Sequence, residues 1–271
     1  MYNQFYNLIE NPFNITADPD FFFESPQHRE AINHLLYGVT QRKGILLVTG
    51  EIGTGKTTLC RTLLGRLPKD TKSALVLNPN FSDLELLKMI VRDLGVEGDF
   101  PTKYELITAL NQYLIKMTNE GYNVVIIIDE AQNLGVKELE EVRLLSNLET
   151  EKHKLLQIIL VGQPELIEKL QLTELRQINQ RIAVRYHLLP MSKTEIKEYI
   201  RYRIKRASNE IQRYALHFTN EAIDAIYENS QGTPRMVNVL CDRALLAGFV
   251  DETYTIDENI IYKCAKEVGR K

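Results

Sequence analysis

Gly50-Glu51-Ile52-Gly53-Thr54-Gly55-Lys56-Thr57 fills every position of the pattern G-x-x-x-x-G-K-[ST], with the apolar run Ile45 to Val48 before it and the helix-forming stretch Leu59 to Leu67 after it. A strand that turns through glycines into a helix restricts the chain to a narrow set of α/β folds. The chemistry sets the residue types. Glycines let successive backbone N–H groups approach phosphate oxygens where a Cβ would clash, and the positive end of the following helix points the same way. The segment Gly50 to Thr58 is therefore expected to hold a nucleoside triphosphate, with Lys56 on the β- and γ-phosphates and the Thr57 hydroxyl on Mg²⁺.

Further strands are expected at Ala74 to Leu77, Val124 to Ile128, Leu156 to Val161 and Ile182 to Tyr186, with Pro68 to Lys72 a polar break. Capping boxes Ser82-x-x-Glu85 and Thr102-x-x-Glu105 open helices between them. Strands alternating with helices imply a parallel sheet. From Ser192 the strand signal fades and helix starts follow at Ser192-x-x-Glu195, Thr219, Gly232 and Asp257. The expected organisation is an α/β core over residues 1–190 and an α-helical lid over 191–271.

The run Val124 to Ile128 ends in Asp129-Glu130, the Walker B pattern. Asp129 is expected in the Mg²⁺ shell, and Glu130 to orient and deprotonate an attacking water. A strand and two helices separate the two motifs, which suits P-loop proteins with an added strand, where water is the usual nucleophile, better than simple kinases. Gln163 ends the fourth strand, beside these acids, where it can meet the lytic water or γ-phosphate as a sensor 1 residue does; polar residues also end many ordinary strands. Arg176, Arg181 and Arg185 surround the fifth strand. Arg181, immediately before it, is the candidate arginine finger for a neighbouring subunit, against the plain alternative of a surface salt bridge. Gly232-Thr233-Pro234-Arg235 starts a lid helix, and Arg235 is the candidate sensor 2 that couples lid position to the triphosphate.

The 33 Lys plus Arg against 36 Asp plus Glu give a net charge of −3, so no bulk attraction draws the chain to nucleic acid or anionic lipid. A DNA contact would need a local patch. Arg201, Arg203, Lys205, Arg206 and Arg213 supply one candidate, with the solvated helix face as the plainer reading, since Tyr202 and Tyr214 alone do not make an aromatic stacking series. No apolar run approaches the roughly 20 residues that span a bilayer, and the first ten residues lack a basic signal-peptide start. Cys60, Cys241 and Cys264 are unclustered, which fits small buried hydrophobes in a reducing, cytoplasmic compartment. The histidines show no metal-ligand spacing.

With these elements in order the chain resembles the AAA+ ATPases. Phe5-Tyr6-x-Leu8, Asn11-Pro12-Phe13, Asp18-Pro19-Asp20-Phe21-Phe22-Phe23, Ser25-x-x-His28 and Leu160-Val161-Gly162-Gln163-Pro164-Glu165-Leu166 narrow this to a resemblance to the general secretion pathway protein A (ExeA-like) family. The resemblance implies ATP, Mg²⁺, hydrolysis completed by a second copy in a ring or arc, and a secretion, pilus or exopolysaccharide partner in the cell envelope, with no membrane insertion by this module. Secretion-type members continue into a membrane span and a peptidoglycan-binding domain, so the chain is expected to be a stand-alone relative or an excised ATPase domain. The later motifs are shared with transposition helper ATPases, which makes ATP-dependent DNA binding the rival reading. In related ATPases the segment before the first strand helps form the adenine slot, so Pro12, Phe13 or His28 are candidates to line it, with Phe21 to Phe23 packed under the sheet.

Overall fold

A computed structural model of the chain describes residues 2–77, 79–151, 153–208 and 216–269. In chain order its first elements are α1 (Tyr2–Phe5), α2 (Pro26–Thr40), β1 (Ile45–Gly50), α3 (Lys56–Arg66), β2 (Thr71–Val76), α4 (Asp83–Asp93), α5 (Lys103–Asn119), β3 (Asn123–Ile128) and α6 (Val136–Leu145). Then come β4 (Gln157–Gly162), α7 (Glu165–Leu170), α8 (Arg176–Arg181), β5 (Ile182–Leu188), α9 (Lys193–Ala207), β6 (His217–Phe218), α10 (Asn220–Ser230), α11 (Pro234–Val250), β7 (Thr255–Ile256) and α12 (Glu258–Glu267). Contacts divide the chain into two units, one of Pro26–Glu51 and Leu59–Leu188, the other of Met1–Ser25, Ile52–Thr58 and Leu189–Lys271.

The first unit is an α/β sheet in the order β2-β3-β4-β1-β5, with every pair parallel. Strands β1, β3 and β4 are buried at all positions. Their near-continuous Ile, Leu and Val runs are what a parallel strand covered on both faces requires. Strand β2 starts at Thr71, earlier than expected, inside the stretch that composition marks as a polar break. It is an edge strand, so Lys72 and Ser73 stay exposed and hydrophobicity does not announce it. Both expected capping boxes form: the Ser82 and Thr102 hydroxyls accept from the Glu85 and Glu105 N–H groups, and each carboxylate returns to its cap N–H. Such a cap is worth about 1 kcal/mol. Leu86, Leu87 and Ile90 of α4 and Leu106, Leu110 and Leu114 of α5 belong to the same apolar core as the sheet.

The second unit is mainly helical. Ser192, Thr219 and Asp257 cap α9, α10 and α12, and Pro234 opens α11. Two short strands, β6 and β7, pair in parallel where no strand was expected. At two residues each they are too short for any periodic signal. The aromatic opening packs in this unit, not under the sheet as expected for Phe21 to Phe23. Tyr6, Leu8, Phe13 and Phe21 are buried with Ile196, Tyr199 and Leu245, and the Phe23 ring meets Tyr199 edge-on at 5.8 Å. A small bundle buries too little apolar surface on its own, and these rings complete its core. Cys241 and Cys264 are buried here and Cys60 in the α/β unit, matching their reading as small hydrophobes.

Arg203 departs most from the patch reading. It is 6% exposed, its Nε donates to Pro12 O at 2.5 Å, Nη2 to Asn14 O at 3.1 Å and Nη1 to the Tyr199 hydroxyl at 2.8 Å. Its guanidinium also lies 5.0 Å from the Phe21 ring centre. Among the described residues no carboxylate pairs with it, and carbonyls and ring faces hold the cation. Burial meanwhile pushes the Tyr199 phenol pKa up. Arg203 is therefore lost to any basic surface, and Arg213 and Tyr214 lie outside the described residues. Arg203→Met, which keeps the volume but strands two carbonyls, is expected to cost about 2–4 kcal/mol of stability. Urea midpoints of the variant and parent measure it.

Candidate active site

The registers Thr49↔Gly162 and Ile128↔Leu160 bring the carboxyl ends of β1, β4 and β3 to one edge of the sheet. That is where open α/β sheets build their sites. Asp129 follows β3 directly, is 1% exposed, donates its N–H to Val76 O and accepts the Glu130 N–H on Oδ1 at 2.9 Å. Glu130 has φ 54° and ψ 37°, the left-handed region that side chains other than glycine seldom occupy. Strain of this kind persists where the surroundings impose it. Here they do: Gln163 Nε2 donates to Glu130 Oε2 at 3.2 Å, and Gln132 Nε2 donates to the same oxygen.

Gln132 escaped the sequence reading. Its Oε1 accepts the Gln163 N–H at 3.1 Å, and the Lys169 ammonium donates to the carbonyls of Gln132 and Leu134. A Cβ on Gly162 would come 2.9 Å from Gln132 Oε1, so glycine is what lets this amide reach the strand end. The signal available was the amide two places after the acid pair, on the same turn.

The glycine-rich loop bends as expected. Gly53 and Gly55 have φ +81° and +96°, conformations strained for any residue with a side chain. Thr54 is 1% and Lys56 5% exposed, and Lys56 is the first residue of the 11-residue α3, whose N-terminal N–H groups favour an anion. The loop's backbone N–H groups and the Lys56 ammonium are donors of the kind phosphate takes; the Thr57 hydroxyl and, in the α/β unit, the Asp129 carboxylate are each oxygen ligands of the kind Mg²⁺ takes.

Within the helical unit, residues 52–58 of the loop meet the start of α11. The Arg235 N–H donates to Gly53 O at 3.2 Å, and a Cβ on Gly53 would stand 2.7 Å from Arg235 Cβ. The Arg235 side chain is exposed at the first turn of its helix. The three candidate fingers are all exposed. Arg181 ends α8 and donates to Asn147 Oδ1 and, at 3.5 Å, to Ser146 Oγ, whereas Arg185 donates to Asn179 O and Oδ1 at 2.6 Å. Of the adenine candidates, Phe13 is consumed in the helical core with its ring edge toward Phe218, Pro12 gives its carbonyl to Arg203, and His28 is buried in α2 of the α/β unit.

A family model described as an AAA domain matches residues 39–170, the stretch that holds both phosphate-side motifs. The chain thus carries an AAA domain. It is 41% identical over 270 residues to General secretion pathway protein A of Aeromonas hydrophila, covering 99% of this chain and 49% of that protein. The chain therefore spans about half the length of this relative. The solved structure of Drosophila ORC bound to DNA superposes with a TM-score of 0.69 at 15% identity, over 100% of this chain and 65% of that one. Cdc6p from Pyrobaculum aerophilum gives 0.68 at 17% identity, over 98% and 71%. At such identities the likeness is one of fold: a P-loop AAA+ parallel sheet with a helical carboxyl-terminal region. Among the described residues no helix is long and apolar enough to cross a membrane.

Proposed function

We propose that this protein hydrolyses ATP and that its nucleotide state controls homo-oligomeric assembly, as a ring or arc, on a protein of the cell envelope belonging to secretion, pilus or exopolysaccharide machinery. The observation that carries the reading is the Glu130 carboxylate, held in a strained backbone position by two amides next to a buried Asp129. Backbone N–H groups from Gly50 to Thr58 and the Lys56 ammonium would hold the phosphates, and Thr57 and Asp129 the metal. Mg²⁺, when bound, neutralises charge that builds on the phosphates during transfer. Glu130 takes the proton of the attacking water, while Gln132 and Gln163 fix its orientation. Arg181 would serve the nucleotide of a neighbouring copy. Arg235, tied to the loop through Gly53, would report the triphosphate to a lid formed by residues 191–271 with the amino-terminal segment packed on it.

The likeness to General secretion pathway protein A, whose name states the pathway, supports an envelope partner, and a cytoplasmic location is proposed beside it. The DNA-binding alternative loses support from the burial of Arg203 and from the placement of Arg206, 3.8 Å from Asp20. Light scattering should show mass rising when ATP and Mg²⁺ are added, and specific phosphate release should climb with protein concentration over the same range. A mass indifferent to ATP would overturn the assembly reading.

A further inference from the structure

Burial of Arg203 leaves a different arrangement of charge on α9. Lys197, Arg201 and Lys205 follow one another at helical-turn spacing, a row about 12 Å long. They edge a cleft of about 350 Å³ whose floor is Ile200, Ile204, Leu216, Phe218 and Ile223, all in the helical unit. Among the described residues Arg201 and Lys205 have no acidic partner, and Lys197 meets only the neutral Asn220 Oδ1 at 2.8 Å. The described lining contains no acid. Half-buried Ile204, Leu216 and Phe218 thus sit beside positive charge that no described acid compensates.

We propose that this cleft is a docking site for an acidic amphipathic helix of a protein partner. The charges decide the occupant. Cations strung along three turns match carboxylates at i, i+4 and i+8 of a second helix, whereas a single phosphate group would need them to converge. The apolar floor takes the adjoining aliphatic face, as grooves that receive amphipathic helices do. A nucleic-acid backbone offers the row its charge but nothing to fill the floor. The proposal rests on the protein-partner reading above only in the class of its occupant and does not involve the ATP site.

The probe is a synthetic fluorescein-labelled helix with Glu at three positions one turn apart beside a Leu face, titrated into the nucleotide-free full chain and followed by anisotropy. The expected result is micromolar binding that weakens with salt. It should weaken about tenfold in Arg201→Glu/Lys205→Glu, and similarly when the probe's Glu residues become Gln. Both arginine and lysine are exposed, so the variant should melt at the parent temperature and release phosphate at the parent rate, which separates this test from any failure of the ATPase reading. No binding at millimolar probe, or equal binding by the charge-reversed variant, overturns the proposal. So does tighter binding of a DNA duplex through the same two residues, which would assign the row to nucleic acid.

Discussion

Glu130→Gln is expected to bind ATP as the parent does and to leave it uncleaved, with turnover lower by on the order of 10²–10⁴-fold, the usual contribution of a positioned base. Two observations make the substitution informative. The Glu130 side chain is already held by the amides of Gln132 and Gln163, so a neutral amide of the same shape can turn its oxygen toward those donors. Its backbone stays in the same left-handed position, set by the turn. The buried Asp129, the proposed metal ligand, is untouched. Binding of a fluorescent ATP analogue, set beside single-turnover hydrolysis, separates the two effects. Normal turnover with intact binding would remove Glu130 from the chemistry.

Arg181→Ala is expected to lose on the order of 10³–10⁵ in turnover, the range an arginine finger supplies, while its own nucleotide site still fills. The guanidinium rests on neutral partners, Asn147 and Ser146, at an exposed helix end. Charge-assisted bonds to phosphate are stronger than these, so exchange of partners on assembly is favourable. Mixing Arg181→Ala with Lys56→Ala should restore part of the activity, because an interface can then form between an intact loop and an intact arginine. Titration of one variant into the other measures it. Rescue that fails at every ratio would assign Arg181 to its own subunit, or the finger to Arg176 or Arg185.

The sheet and its phosphate-side residues were legible because each is a local pattern: apolar runs, glycines at fixed offsets, an acid pair at a strand end. Capping boxes were equally local. Gln132 was not, since its role depends on the left-handed turn at Glu130, which no residue type announces. The aromatic opening declared that it packs but not on what, because rings carry no address. Arg203 illustrates how a period outranks charge. With Ile196, Tyr199, Ile200 and Ala207 it lies at i, i+3, i+4, i+7 and i+11 of one buried stripe, a spacing the cluster of positive residues concealed.

The bond between Pro12 and Arg203 joins residues 191 positions apart. At a ribosomal pace of 5–20 residues per second, the opening aromatics emerge about 10–40 s before the arginine and rings that receive them. For that interval Phe13 and Phe21 have no native partner, while the sheet between them can already close on itself. The helical unit is in this sense sewn shut from two distant stretches of sequence, and it can finish only when α12 has been made.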